Sequence, residues 1–101
     1  MITAIVQYRL PPSIDRSACG EHFRKIAPGF RDVPGLIRKQ SIYAEDGWAG
    51  GAYLWRGRAD AEAFYYGIRK RYGMDPEIRY FHTAAVTNNS VDPVLLPAAA
   101  E

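Results

Sequence analysis

The side chains of this 101-residue chain that can do chemistry are mainly aromatic rings and histidines. Trp55 and Tyr53 lie two residues apart on one predicted strand, and Phe64 and Tyr65 follow in the next predicted helix. Their rings can together wall a flat apolar slot for a planar ligand. His82 can act as a base beside such a slot, because the unperturbed pKa of histidine, about 6.5, suits proton transfer at neutral pH.

Each of these side chains also has a purely structural interpretation. Aromatic residues are favoured in strands, so Trp55 and Tyr53 can equally pack in the core or at a subunit interface. His82 is predicted to share a strand face with Ile78 and Tyr80. On such an apolar face, histidine is more often a hydrogen-bonded packing residue than a base.

Two further residues are candidate ligand contacts. Arg38 is predicted to share a strand face with Leu36, Gln40 and Ile42. Its guanidinium there can hold an anionic ligand or pair across a dimer. Phe23 lies on the apolar stripe of the first predicted helix and is predicted to contact the ligand.

Several other kinds of chemistry lack a signature in the sequence. The sole cysteine, Cys19, is not spaced with either histidine for metal binding, and Gly50 and Gly51 lie inside a predicted strand rather than before a helix. The net charge is only +2, and the basic cluster 69–71 closes a helix. No apolar run approaches the roughly 20 residues of a membrane span. We therefore expect a cytoplasmic protein with no metal, cofactor, nucleic acid or membrane partner.

These side chains must be positioned by four strands and two helices. The predicted strands are 2–9, 36–45, 48–56 and 77–88. The first predicted helix begins after Ser13 as N-cap, and the second runs from about Arg58 to Tyr72, with Gly73 as its cap. Pro28 is expected to end the regular part of the first helix near Ala27. The β-α-β-β-α-β order predicts a ferredoxin-like α+β fold, with both helices on one face of a four-stranded antiparallel sheet. We predict one domain, 1–88, and a tail, 89–101, that packs on a partner subunit.

The third predicted strand has no face suited to water. It alternates between two sets of small or apolar residues: Ala49, Gly51, Tyr53 and Trp55 on one side, Gly50, Ala52 and Leu54 on the other. Since a chain of 101 residues cannot cover both faces of its sheet, we expect a second copy to cover one. Gly50 is expected to let the partner or another backbone come close, and Gly51 to leave open space.

Three segments resemble the small YdhR-like monooxygenases: VPGL at 33–36, GGAYL at 50–54, and Ala61 with AFY at 63–65. That family belongs to the dimeric α+β barrel superfamily, which includes antibiotic-biosynthesis monooxygenases. The resemblance covers roughly residues 2–88. It implies a homodimer whose two sheets form a central barrel, with a ligand cavity in each subunit. It also implies cofactor-independent oxidation of a small aromatic, phenolic or quinol-like substrate.

On this interpretation the catalytic residues are His82 and Trp55, and the substrate-binding residues are Tyr53, Phe64, Tyr65, Arg38 and Phe23. A deprotonated phenol can give an electron to dioxygen itself, so the protein has to supply a slot, a base and exclusion of water. Anthrone-oxidising relatives carry an Asn four residues before the strand Trp and a Tyr six residues after it, where this chain has Gly51 and Ala61.

The missing polar partners leave two alternatives open. One is a non-enzymatic dimer that binds a small molecule, and the other is an isomerase resembling muconolactone isomerase. Haem oxygenation, which the superfamily also supports, would be expected to need a histidine on the second helix, and that helix has none.

Overall fold

The structure, a computed structural model, describes residues 1–89. Its elements are β1 (Ile2–Arg9), α1 (Arg16–Ile26), a 3-10 segment (Ala27–Asp32), β2 (Leu36–Tyr43), β3 (Trp48–Trp55), α2 (Arg58–Tyr72) and β4 (Glu77–His82). The strands form one antiparallel sheet in the order β2-β3-β1-β4. This confirms the predicted ferredoxin-like α+β fold. The predicted tail lies outside the described residues from position 90 onward.

Local signals fix most element ends, with four corrections. The N-cap of α1 is Asp15, whose carboxylate accepts a 2.8 Å hydrogen bond from the amide of Ala18, and not Ser13. β2 ends at Tyr43, β3 at Trp55 and β4 at His82, each earlier than predicted, because the sheet pairing stops there. α2 has its predicted bounds, and Gly73, the residue after Tyr72, caps it in the left-handed conformation (φ 64°).

Both helices pack on one face of the sheet, which we call the covered face. The larger core cluster there joins β1 and β3 to α2 and contains Ile2, Ala4, Val6, Tyr53, Trp55, Ala61 and Tyr65. A smaller cluster joins α1 to β3 through Cys19, Phe23 and Ala49. The opposite face, which we call the open face, carries the alternate residues of each strand. No helix within residues 1–89 covers it.

β2 contains a β-bulge at its beginning. Leu36 pairs with Trp55 and Arg38 pairs with Leu54, so that Ile37 is an extra residue without a partner of its own on β3. A bulge of one residue reverses the alternation of side chains beyond it. Beyond the bulge, the residues of β2 that face the helices are therefore not those that simple alternation from Leu36 predicts.

The bulge decides which basic residue of β2 faces the helices. Leu36 lies on the covered face, Arg38 on the open face and Lys39 again on the covered face. The prediction that Arg38 shares a face with Leu36 is therefore wrong. Its grouping with Gln40 and Ile42 is confirmed, since both follow Arg38 with regular alternation.

Gly50 permits β1 and β3 to approach closely. A Cβ atom at this position would overlap the backbone carbonyl oxygen of Val6 on β1. The prediction that Gly50 admits another backbone is thus confirmed, and that backbone belongs to the same chain. No helix among the described residues is long and apolar enough to span a bilayer.

Candidate functional site

A cluster of aromatic rings surrounds Trp55 on the covered face, and we call it the ring cluster. The indole of Trp55 is completely buried and stacks on Tyr53 at a centroid distance of 5.9 Å and an angle of 9°. Tyr65 and Phe64 of α2 meet the indole at 5.8 and 5.5 Å. The indole Nε1 donates a 3.1 Å hydrogen bond to the hydroxyl of Tyr65. The structure therefore brings together four of the residues that the sequence predicts for the site.

Strand alternation and helical spacing explain this meeting. Tyr53 and Trp55 are two residues apart on β3, so they point to the same face. Tyr65 lies four residues after Ala61, whose small side chain is fully buried and allows α2 to approach the sheet. Phe64, next to Tyr65, is half-buried at the side of the same stripe.

The hydroxyl groups of the ring cluster stay protonated at neutral pH. Burial raises the pKa of Tyr53, and the Tyr8 hydroxyl adds to this shift. Burial also raises the pKa of Tyr65, although the hydrogen bond from Trp55 acts in the opposite direction. Neutral hydroxyls can orient a ligand by hydrogen bonding, but they supply no base at neutral pH.

Lys39 brings a cationic group to the rim of the ring cluster. It pairs with Tyr53 across β2 and β3, and its Nζ lies 3.4 Å from the centre of the Phe30 ring and 5.0 Å from that of Tyr53. Within residues 1–89 no carboxylate forms an ion pair with it and no atom accepts a hydrogen bond from it. Burial lowers the pKa of Lys39 to about 8, because the surrounding rings replace water around the ammonium.

The sequence reasoning missed Lys39 because simple alternation from Leu36 turns it toward the open face. A signal was nevertheless present at the beginning of β2. Leu36 and Ile37 are adjacent apolar residues, which a regularly alternating strand with one wet face does not have. Such a pair is compatible with a bulge.

The space above Gly51 is filled, so the expected opening is absent. A Cβ atom there would lie 2.7 Å from Cε1 of Tyr53 and 3.1 Å from Cε of Lys39. The Tyr53 ring and the lysine stem thus occupy the volume that a side chain at Gly51 would take. The prediction that Gly51 leaves open space is wrong for this reason.

Three predicted site residues lie away from the ring cluster. His82 is exposed at the end of β4, where it pairs with Ile2 on the far side of β1 from Trp55. Arg38 is exposed on the open face and donates a 2.8 Å hydrogen bond to Gln40. Phe23 is buried in the smaller cluster with Cys19 and Ala49. Their roles in binding or catalysis stay predictions.

Two open clefts lie at the other end of the sheet from Trp55. One, of about 380 Å³, is lined by Gln7, Tyr8, Arg9, Trp48, Met74, Asp75 and Glu77. The other, of about 460 Å³, follows the β1–α1 connection and the β2–β3 hairpin. Neither is lined by the ring cluster, whose rings fill the layer between sheet and helices. Within residues 1–89, no three His, Cys, Asp or Glu side chains come together to hold a metal ion.

No protein family model matches the sequence, and no curated protein matches it at a significant level. Solved structures do match. A protein of unknown function from Nitrosomonas europaea aligns with a TM-score of 0.68 at 11% identity, over 88% of this chain and 94% of that one.

Two further structural neighbours are monooxygenases by description. A proposed antibiotic biosynthesis monooxygenase from Deinococcus radiodurans aligns with a TM-score of 0.57 at 13% identity, over 87% of this chain and 97% of that one. A monooxygenase from Streptomyces coelicolor, in complex with the ligand nanaomycin D, aligns with a TM-score of 0.55 at 16% identity, over 88% and 92% of the two chains. At these identities the likeness shows the fold alone: this chain has a ferredoxin-like α+β fold shared with proteins of the antibiotic biosynthesis monooxygenase type.

Proposed function

We propose that the protein is a cofactor-independent monooxygenase that acts on a small aromatic substrate of the phenol or quinol class. The observation that carries the proposal is the position of Trp55. Its buried indole lies among stacked and edge-on rings, on the covered face of a fold that also serves monooxygenases. Such an environment excludes water and favours another planar ring.

We place the entrance for the substrate between Phe30 and Phe64. These two rings meet edge to face at 6.0 Å, and both are half-buried. Phe30 belongs to the 3-10 segment, none of whose residues is fully buried. Segments with few buried contacts open at low free-energy cost. Movement of this segment would let a planar molecule reach the rings of Tyr53 and Trp55.

Within this proposal the protein positions the substrate and dioxygen reacts with it directly. Removal of the phenolic proton leaves an electron-rich ring, which can transfer an electron to dioxygen. Trp55 and Tyr65 hold the ring plane, and the hydroxyl of Tyr65 already accepts the indole hydrogen bond. His82 remains the base predicted from sequence, and it lies on the covered face, although exposed.

Oxygen uptake with an anthrone and with a quinol tests the proposal. We expect uptake by the wild type, and a loss of about tenfold or more in Trp55→Phe, because the smaller ring leaves the substrate poorly positioned. Trp48→Phe is the matched control, since Trp48 lies on the open face at the other end of β3. His82→Ala tests the base predicted from sequence: a loss of about a hundredfold would assign the proton transfer to His82, and an unchanged rate would assign it to another group. Absence of uptake by the wild type across both substrate types would refute the proposal.

We also propose that a second copy of the chain covers the open face. The middle of this face is apolar, with Ile5, Ala52 and Leu54, while Arg38 and Arg79 lie on its outer strands. An apolar centre with a charged rim is typical of a protein interface. Two such sheets packed face to face would bury about 2,000 Å² or more. Sedimentation at micromolar concentration should therefore give a dimer, and a monomer would contradict this proposal.

The second candidate function is binding of a small aromatic molecule without turnover. It is favoured by Gly51 and Ala61, which stand where anthrone-oxidising relatives carry polar side chains, and by the rings that fill the volume above Gly51. Tight binding of one aromatic ligand, with no oxygen uptake on a broad panel of phenols, would select this function over the first.

A further inference from the structure

The ammonium group of Lys39 is placed to meet an anionic ligand. Its Nζ sits over the faces of Phe30 and Tyr53, while its three N–H donors have no acceptor among residues 1–89. Ring faces attract a cation but satisfy none of its hydrogen bonds. Water or a ligand oxygen can complete the coordination of this ammonium. A ligand ring seated at the entrance would carry its oxygen to this point.

We propose that the Lys39 amine takes the phenolic proton of an aromatic ligand seated against Phe30 and Tyr53, and then holds the resulting oxyanion. In this step the ligand O–H bond breaks and an N–H bond forms, while the electron pair stays on the ligand oxygen. The products are an ammonium and a phenolate in direct contact, and no oxidant or reductant is needed. The inference rests on the proposed function for its substrate class, but proton transfer and anion binding can be measured without oxygen.

The surroundings of Lys39 favour this role over that of a structural ion pair. Tyr53 from β3 is the titratable group against it, and burial keeps that hydroxyl protonated by raising its pKa. The 3-10 segment contributes the ring of Phe30, and its charged residues Arg31 and Asp32 are exposed and form no ion pair with Lys39. The pKa of Lys39, about 8, leaves a fraction of neutral amine near neutral pH that can accept a proton.

Lys39 is also better placed than the other basic candidates. It is paired directly with Tyr53, whereas His82 is separated from β3 by β1. Arg38 faces the open side of the sheet. A guanidinium stays protonated and cannot serve as a base, although it can hold an anion. Variants of Lys39, His82 and Arg38 should therefore give different results in the same measurements.

Binding of para-nitrophenol under nitrogen tests the inference, because its phenolate absorbs at longer wavelength than the neutral phenol. We expect the wild type to bind this probe as phenolate at a pH where the free probe is largely protonated. Lys39→Met, which keeps an apolar stem beside Phe30, should bind at least about tenfold more weakly and show no phenolate band. Lys39→Arg should still bind phenolate added at high pH. Lys70→Met is the matched control, since Lys70 also lies over an aromatic ring, Tyr66, on the exposed side of α2.

Measurements of oxygen uptake distinguish the role of Lys39 as a base from its role in holding an anion. With an anthrone, Lys39→Arg should lose oxygen uptake by about a hundredfold or more, and the acid side of the pH–rate profile should disappear with it. Failure of the wild type to generate bound phenolate, or an unchanged phenolate band in Lys39→Met, would overturn the inference. Loss of the phenolate band in the single variant Arg38→Met or His82→Ala, in which Lys39 is intact, would also overturn the inference. A phenolate band that depends on Lys39 without any oxygen uptake would leave the inference standing and refute the proposed oxygenase.

Discussion

The two tryptophans lie at opposite ends of β3 and on different faces of the sheet. Trp55 points to the covered face, is completely buried and donates its indole hydrogen to Tyr65. Trp48 points to the open face, is half-buried and lies 5.0 Å beneath the guanidinium of Arg9. The same residue type is thus held by neutral rings at one end and by a surface cation at the other. Among residues 1–89, only the covered face offers a dry aromatic environment.

The same contrast applies to the basic residues of β2. Lys39 and Arg38 are adjacent in sequence but lie on opposite faces. Lys39 packs against rings and has a lowered pKa, whereas Arg38 is exposed and bonded to Gln40. A charge at the rim of an apolar cluster interacts strongly with a ligand, because little water screens it there. A charge on the open face is screened unless a partner covers it.

The largest expected effect on stability comes from truncating the two tryptophans. Trp55→Ala should lower the free energy of unfolding by about 3–5 kcal/mol, since it removes the centre of the ring cluster. Trp48→Ala should cost about 1 kcal/mol, mostly through the lost contact with Arg9. Urea unfolding at a single protein concentration measures both. Equal losses would contradict the distinction between the two faces.

A smaller pair of effects is expected at the adjacent glycines of β3. Gly50→Ala should cost about 3 kcal/mol, because its Cβ would overlap the backbone of Val6, which cannot move without breaking the strand pair. Gly51→Ala should cost about 1 kcal/mol, since the side chains of Tyr53 and Lys39 can shift. Gly67→Ala is the control: nothing lies within 4 Å of its added Cβ, and the helix should gain about 0.5 to 1 kcal/mol. A Gly51→Ala loss that exceeds the Gly50→Ala loss would contradict these packing contacts.

The smallest effect is the dependence of stability on pH through Lys39. The folded-state pKa, about 8, is below the value of 10.5 for a free lysine, so the unfolded chain binds more protons between these pH values. Stability should therefore rise with pH from about 8 toward 10, by on the order of 1 kcal/mol after allowance for solvent screening. Below pH 8 the full cost of burying the ammonium is present.

Other groups act in the opposite direction in the same range. Burial raises the pKa of Cys19 and of the tyrosines, and this makes stability fall as pH rises above about 9. These contributions are present in both the wild type and Lys39→Met, so they cancel in the difference between the stabilities of the two proteins. The difference in stability between the two proteins, measured by thermal unfolding from pH 7 to 10, should become smaller as the pH rises. A constant difference would mean that Lys39 titrates as an exposed lysine.

Much of the fold could be predicted from sequence because its signals are local. The apolar stripe of α2 and the glycine at its end gave the bounds of that helix, and strand alternation together with helical spacing brought Trp55, Tyr53, Phe64 and Tyr65 together. The predicted N-cap of α1, Ser13, was wrong, since Ser13 and Asp15 are both good capping residues and only the backbone path selects Asp15.

The polar part of the candidate site could not be predicted in the same way. The position of Lys39 depends on the single extra residue at Ile37, and alternation alone does not reveal a bulge. The filled space above Gly51 depends on side chains from two strands, which meet only in the folded sheet. Both are tertiary effects, and they moved the predicted basic contact from Arg38 to Lys39.

The position of the ligand site is tested most directly by fluorine NMR of the protein labelled with fluorotryptophan, with resonances assigned through Trp48→Phe. Trp55 and Trp48 then report separately on the covered and the open face. Addition of para-nitrophenol under nitrogen should shift the Trp55 resonance and leave that of Trp48 unchanged. In Lys39→Met the same addition should no longer shift the Trp55 resonance. A shift confined to Trp48, or a Trp55 shift that persists in Lys39→Met, would contradict a ligand site formed by the ring cluster and Lys39.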